Sequence, residues 1–117
     1  DKVQSRLKES KIKTGVINLF IAGATGAITT IEYEPGLISD FKNLLKEIIP
    51  ERNSWKHNLS HGDMNAHSHL RASLIGPSLT VLVENGKLVL GIWQQIIFVE
   101  LDVRPRNRTV YLEIIGE

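Results

Sequence analysis

The sequence predicts an α+β fold, a mostly antiparallel sheet with two to three helices, and three observations carry that expectation. Residues 37–49 repeat apolar side chains at helical spacing: Leu37, Phe41, Leu44, Leu45, Ile48 and Ile49 form one stripe. Asn85-Gly86 is a two-residue hairpin signal, because both residue types accept the positive φ that the tight turn requires. Runs rich in β-branched and apolar residues lie both before the helix and around the hairpin, so strands bracket helices along one chain.

In chain order, residues 1–10 are charged and helical in pattern, with Val3, Leu7 and, less regularly, Ile12 on an apolar side. Residues 15–21 read as a mostly buried strand. The small residues 23–26 interrupt the pattern, and a second strand over 27–33 runs to a turn at Glu34-Pro35-Gly36. The helix over 37–49 stops at Pro50, and the polar stretch 51–63 is expected to be a loop. A shorter helix over about 65–75 ends at Gly76-Pro77. Strands then follow over 79–84, 87–90, 93–102 and 109–115, the last two joined by an arginine-rich turn.

A chain of 117 residues has room for one hydrophobic core, and 42% apolar with 23% charged residues is a globular composition. With 14 basic and 13 acidic residues, charge gives no global reason to expect nucleic acid or an anionic membrane as partner. The absence of cysteine removes disulfide scaffolds, thiolate zinc sites and cysteine nucleophiles, and fits a reducing compartment. No apolar run approaches the ~20 residues that cross a bilayer, and the start does not resemble a secretory signal. A cytoplasmic location is therefore expected.

All four histidines fall in one segment, His57-Asn-Leu-Ser-His61-Gly-Asp63-Met-Asn65-Ala-His67-Ser-His69. Imidazoles beside a carboxylate suit zinc or another divalent ion, and equally suit proton transfer near neutral pH. Helical geometry limits which can cooperate. His67 and His69, two apart, point about 200° away from each other, whereas Asn65 and His69, four apart, share a face that Ser73 extends. The preferred set is His69 from the helix with His57, Asp63 and His61 from the loop. The plainer alternative is a group of solvated loop histidines, with Asp63 capping the helix.

Four further features each have two readings. Glu32 is a ligand or general base if buried, and otherwise an outward-facing strand residue. Gly23-Ala-Thr-Gly26 is a phosphate cradle or, more simply, a tight bend. Trp93 and Gln94 wall and orient a ligand, or Trp93 is a core or interface aromatic. Arg104, Arg106 and Arg108 clamp an anion, or form a solvated turn or subunit contact.

Several blocks taken together resemble the YjbQ family. They are Ile28-Thr-Thr-Ile-Glu32-Tyr-Glu-Pro35, Asp40, Asp63-Met-Asn65-Ala-His-Ser-His69-Leu, Gly76-Pro-Ser78, Glu84-Asn-Gly86-Lys-Leu-Val-Leu-Gly91-Ile-Trp93-Gln94, Glu100 and Arg104-Pro-Arg106-Asn-Arg108. The resemblance covers the chain from about Thr14.

It implies one compact α+β domain, a homotrimer and a site near subunit boundaries. It also implies thiamine-phosphate synthase as a side activity, joining a pyrimidine diphosphate to a thiazole phosphate with loss of pyrophosphate. Carried over by position, the polar set is Glu32, Asp40, His57, Asp63, Asn65, His69, Trp93 and Gln94. Two positions depart from the family pattern. Gly23-Ala24-Thr25-Gly26 stands where the family usually has His-Thr-Thr-Ala, and Ile92 replaces a threonine. A metal site would then draw on His61 or His67. The resemblance further implies strand residues ahead of the first helix.

The expected function is thus an enzyme acting on a small phosphorylated or otherwise anionic metabolite. Glu32, His57, Asp63 and His69 would carry the chemistry, and Asp40, Asn65, Trp93 and Gln94 would bind the ligand. A divalent metal, zinc or magnesium, would sit on His57, His69 and Asp63. The alternative expectation is a non-catalytic trimer that binds a metal or small ligand.

Overall fold

A computed structural model of the chain describes residues 2–60 and 62–117. Among them the elements run α1 (Lys2–Ser10), β1 (Gly15–Ile21), β2 (Gly26–Ile31), α2 (Pro35–Ile48), α3 (Lys56–Ser60) and α4 (Ala66–Ile75). They continue as β3 (Ser78–Glu84), β4 (Lys87–Leu88), β5 (Gln95–Glu100) and β6 (Val110–Gly116). The fold is α+β, as the sequence predicts. All strand pairs are antiparallel: a four-stranded sheet in the order β4-β3-β1-β6, and a separate β2–β5 ribbon.

Alternation along β2 shows how the layers meet. Ile28 packs with Leu19 and Ile21 of the sheet, while its neighbour Ala27 packs with Leu45 of α2, Ala72 of α4 and Leu101. Successive strand residues face opposite sides, so the ribbon lies between the sheet and a layer formed by α2 and α4. On the sheet's inner face Ile17, Val81 and Val83 are covered by α1 through Leu7, which is fully buried.

Several boundaries differ from the sequence expectation, each for a local reason. The second strand ends at Ile31 and not Tyr33, and Glu34-Pro35-Gly36 is a helix start rather than a free turn. Glu34 caps α2, its carboxylate accepting the backbone N–H groups of Gly36 (2.6 Å) and Leu37 (3.0 Å). Proline suits the first helical position, where no N–H is needed. The loop expected over 51–63 contains α3, a single polar turn-and-a-half with no apolar stripe to announce it. Its buried Asn58 holds it in place, donating to the Arg52 carbonyl (3.0 Å) and accepting from Ala66 N (3.0 Å).

The hairpin at Asn85-Gly86 is present, with φ of 53° and 74°. The strand expected over 87–90 is shorter, reduced to Lys87–Leu88, and β5 begins at Gln95 and not Trp93. Residues 91–94 instead form a turn, closed by Gln94 N donating to the Gly91 carbonyl (3.0 Å). Among the described residues no helix is long and apolar enough to cross a membrane.

Candidate functional site

The end of the ribbon and the start of α4 meet around Asp102, whose side chain is 1% exposed. Four donors converge on its carboxylate: Asn65 Nδ2 (3.2 Å), Thr25 Oγ1 (3.0 Å), Arg106 Nε (2.7 Å) and the Val103 backbone N–H (2.7 Å). Burial pushes this carboxyl up, but the four hydrogen bonds outweigh burial and hold it well below the usual carboxylate range. Next to it, Arg108 donates to both oxygens of Glu100 (2.9 and 2.7 Å) and to Thr25 Oγ1 (2.7 Å). That hydrogen bonding lowers the Glu100 carboxyl and raises the Arg108 guanidinium. A chain of donors thus runs from Arg108 through the Thr25 hydroxyl to Asp102.

This network decides two of the open readings. Arg106 and Arg108 are folded back onto internal carboxylates, so neither is a free clamp nor a merely solvated turn; Arg104 is exposed. The bend at 23–26 is covered rather than cradling: a Cβ on Gly23 would lie 2.7 Å from Arg108 Nη1, and the Thr25 hydroxyl is already engaged. Glycine at 23 lets the guanidinium lie against the backbone.

Asn65, anchored by Asp102, is the residue preceding α4, and its carbonyl accepts from Ser68 N (3.0 Å) and His69 N (3.3 Å). Its side chain makes no capping bond, and Asp63, offered by the plainer reading as the cap, is exposed two residues earlier. Between them Met64 takes a left-handed conformation (φ 55°), which is costly for a side chain of this kind. The sharp turn brings α3 back against α4. As a result the His57 and His69 rings meet with centroids 4.9 Å apart and planes tilted by 49°. His69 thus meets His57, while Asn65, just ahead of the helix, turns its side chain to Asp102.

His67 points away from that pair. Its side chain is 7% exposed, with Nε2 3.8 Å from the Glu51 carboxylate. Burial lowers its pKa, with Glu51 acting in the opposite direction. One turn on, Arg71 donates through Nε (3.0 Å) and Nη2 (2.8 Å) to the Ile49 carbonyl at the end of α2.

The remaining predicted residues stand elsewhere in the chain. Glu32 is exposed, and with Trp93 and Gln94 it lines an open groove at the end of the ribbon away from Asp102. The register pairs Gly26 with Glu100 and Ile31 with Gln95, so the two ends lie roughly 17 Å apart at ~3.4 Å per residue. Trp93 is 72% exposed, hence not a core aromatic. Both ends of the Gln94 amide are engaged, donating to Thr30 Oγ1 (3.1 Å) and accepting from Gly91 N (3.0 Å). Asp40 is exposed on α2, beside another groove with Leu37 and Leu44.

Among the described residues, no group of three or more His, Asp or Glu side chains is arranged to hold a metal ion. The described part of the predicted metal set is thus the His57–His69 pair, with Asp63 exposed in the linking segment. His61 lies outside the described residues.

A model of the YjbQ family, described as UPF0047 protein YjbQ-like, matches residues 1–117. The chain belongs to the YjbQ family. A UPF0047 protein of Methanothermobacter thermautotrophicus is 44% identical over 98% of this chain and 78% of its own length. One from Methanocaldococcus jannaschii is 38% identical over 97% of this chain and 79% of its own length. The fold agrees with solved YjbQ-type structures. A YbjQ-like protein of unknown function from Sulfolobus solfataricus superposes with a TM-score of 0.93 at 43% identity, covering 100% of this chain and 83% of that one. A hypothetical protein from Aeropyrum pernix gives 0.91 at 40% identity, covering 99% and 84%.

The YjbQ resemblance carried Asn65, Glu100, Arg106 and Arg108 as signature positions, but nothing in the sequence joined them. Asp102 was not singled out, and Thr25 entered only through the 23–26 bend. The one available signal was the spacing of Asp102 and Arg106, four apart where the expected strand over 93–102 enters the arginine-rich turn.

Proposed function

We propose that this YjbQ-family chain is an enzyme acting on a small phosphorylated metabolite, with thiamine-phosphate synthase as a side activity. The observation that carries the reading is the meeting of His57 and His69, from two different helices, at 4.9 Å. A ring centroid lies about 3.2 Å from a zinc ion held at ~2.1 Å, so two imidazoles on a tetrahedral centre stand about 5 Å apart. The pair fits two positions of such a site, leaving the others to Asp63, Glu32, water or substrate. The same two imidazoles without a metal suit a phosphate oxygen, as donors when protonated.

Assembly would complete the site. The outer face of the four-stranded sheet carries Leu82, Val16 and Ile115 in one cross-strand row and Phe20 with Tyr111 in another. Leu82, Ile115 and Tyr111 are each more than half exposed there. An apolar sheet face of this kind supports burial against another copy. Ile92 at 89% and Trp93 at 72% exposure, beside Glu32, support a second contact at the far end of the ribbon. In a homotrimer closed through these surfaces, Glu32 would lie beside a subunit contact.

The test is formation of thiamine phosphate from the pyrimidine diphosphate and thiazole phosphate by the purified protein, beside His57→Ala and His69→Ala. Turnover lost in both variants supports the reading. Turnover no higher than in His69→Ala sinks the thiamine-phosphate version. A second reading, a non-catalytic metal- or ligand-binding trimer, is favoured by the placement of Glu32 at the ribbon end away from Asp102 and Asn65 within one chain. It predicts binding at the histidines without turnover.

A further inference from the structure

The side of α4 turned away from His69 borders a cleft of about 630 Å³ between α2 and α4, with β5 and the segment after it as a further wall. That volume lies in the range of small-molecule sites, roughly 300–1,000 Å³. Its surfaces divide by chemistry. Phe41, Leu45, Phe98 and Val99 give it an apolar wall, and Lys42, Lys46 and Arg71 give it cations.

The charges in the cleft do not cancel. Glu100 and Asp102 line it but are bound by Arg108 and Arg106, which leaves Lys42, Lys46 and Arg71 against Glu51 alone. Lys42 and Lys46, exposed and one turn apart on α2, take part in no ion pair among the described residues. His67 lines the same cleft through the small exposed part of its ring. Nδ1 of His67, a side chain more than nine-tenths buried, has no hydrogen-bond partner among the described residues.

We propose that this cleft is a second binding site, separate from the His57–His69 pair, for a small organic anion carried on a flat apolar body. Lys42 and Lys46 bind the anionic head by charge-assisted hydrogen bonds, which are stronger than neutral ones. Phe41 and the β5 side chains take the apolar body, beside the His67 ring that lines the same cleft. The aromatic phosphomonoester and the aromatic carboxylate share this chemistry. The inference does not rest on the function proposed for the histidine pair.

The experiment is a titration of the full chain with phenyl phosphate and, separately, benzoate, following the imidazole nitrogen signals of all four histidines by NMR. The expected result is a shift of the His67 ring nitrogens. A Lys42→Glu/Lys46→Glu variant with unchanged melting temperature should bind about tenfold or more weakly, the loss of at least one charged contact. His69→Ala should bind as the wild type does. A response to benzoate alone keeps the site and assigns it to carboxylates. No shift at His67 with millimolar probe overturns the proposal. So does binding that His69→Ala abolishes and the lysine reversal leaves intact, a result that would place the anion at the histidine pair instead.

Discussion

Asn65 donates its side-chain amide to the buried Asp102 carboxylate at 3.2 Å, and this bond fixes the start of α4 against the end of the ribbon. His69 stands one turn further along the same helix, so its position relative to His57 depends on a residue far away in sequence.

Removing that carboxylate is expected to cost stability and to loosen the histidine pair. Asp102→Ala leaves Asn65, Thr25 and Arg106 facing one another without an acceptor. A loss of about 2–4 kcal/mol in denaturant unfolding follows from breaking a buried charged network. An unchanged midpoint would show that the network is dispensable.

The same carboxylate sets a pH dependence with a definite sign. Its folded pKa is held below the unfolded value, so its stabilisation is fully present above the unfolded pKa of about 3.9. The stabilisation falls as the pH drops through that value toward the folded pKa. The stability gap between wild type and Asp102→Asn should therefore be flat near neutrality and narrow below roughly pH 4. A gap that widens on acidification contradicts the assignment.

Zinc should bind the wild-type chain, with affinity reduced by either His57→Ala or His69→Ala. Loss of one of two imidazole ligands is expected to weaken binding by at least about tenfold. Isothermal titration at neutral pH reads this directly. Equal affinity in all three proteins removes the pair as a metal site and leaves it to anion binding.

Gly23→Ala should destabilise by about 1–2 kcal/mol, since the added methyl lands 2.7 Å from a guanidinium pinned by Glu100 and Thr25. In an Arg108→Ala background the cost should largely vanish. A thermal-melting double-mutant cycle reports that coupling, and additive losses would argue against the contact.

Leu82→Lys places a charge on the exposed sheet face without touching the inner core. The expected outcome is a shift from assembled protein to monomer by sedimentation, with helix and strand content retained. If the assembly persists, subunits meet through another surface.

Much of this molecule was legible in its sequence because the signals are local. The apolar stripe of α2, the Asn85-Gly86 hairpin and the strand over residues 15–21 depend on nearest neighbours and repeat spacing. The helix that carries His69 was legible from its end at Gly76-Pro77, and the signature blocks identified the family. The short polar helix α3 was not legible, because five residues without a hydrophobic period carry no signal and Asn58 holds them through bonds to Arg52 and Ala66.

What only the tertiary structure decided is which charges meet. Thr25 and Asp102 are 77 residues apart yet share a hydrogen bond, while Glu32, grouped with the histidines by family pattern, stands at the other end of the ribbon. Antiparallel pairing of β2 with β5 sets both facts, since register brings distant residues together and separates those a few strand positions apart. Sequence determined the chemistry on offer, and the register of one ribbon determined where each group is used.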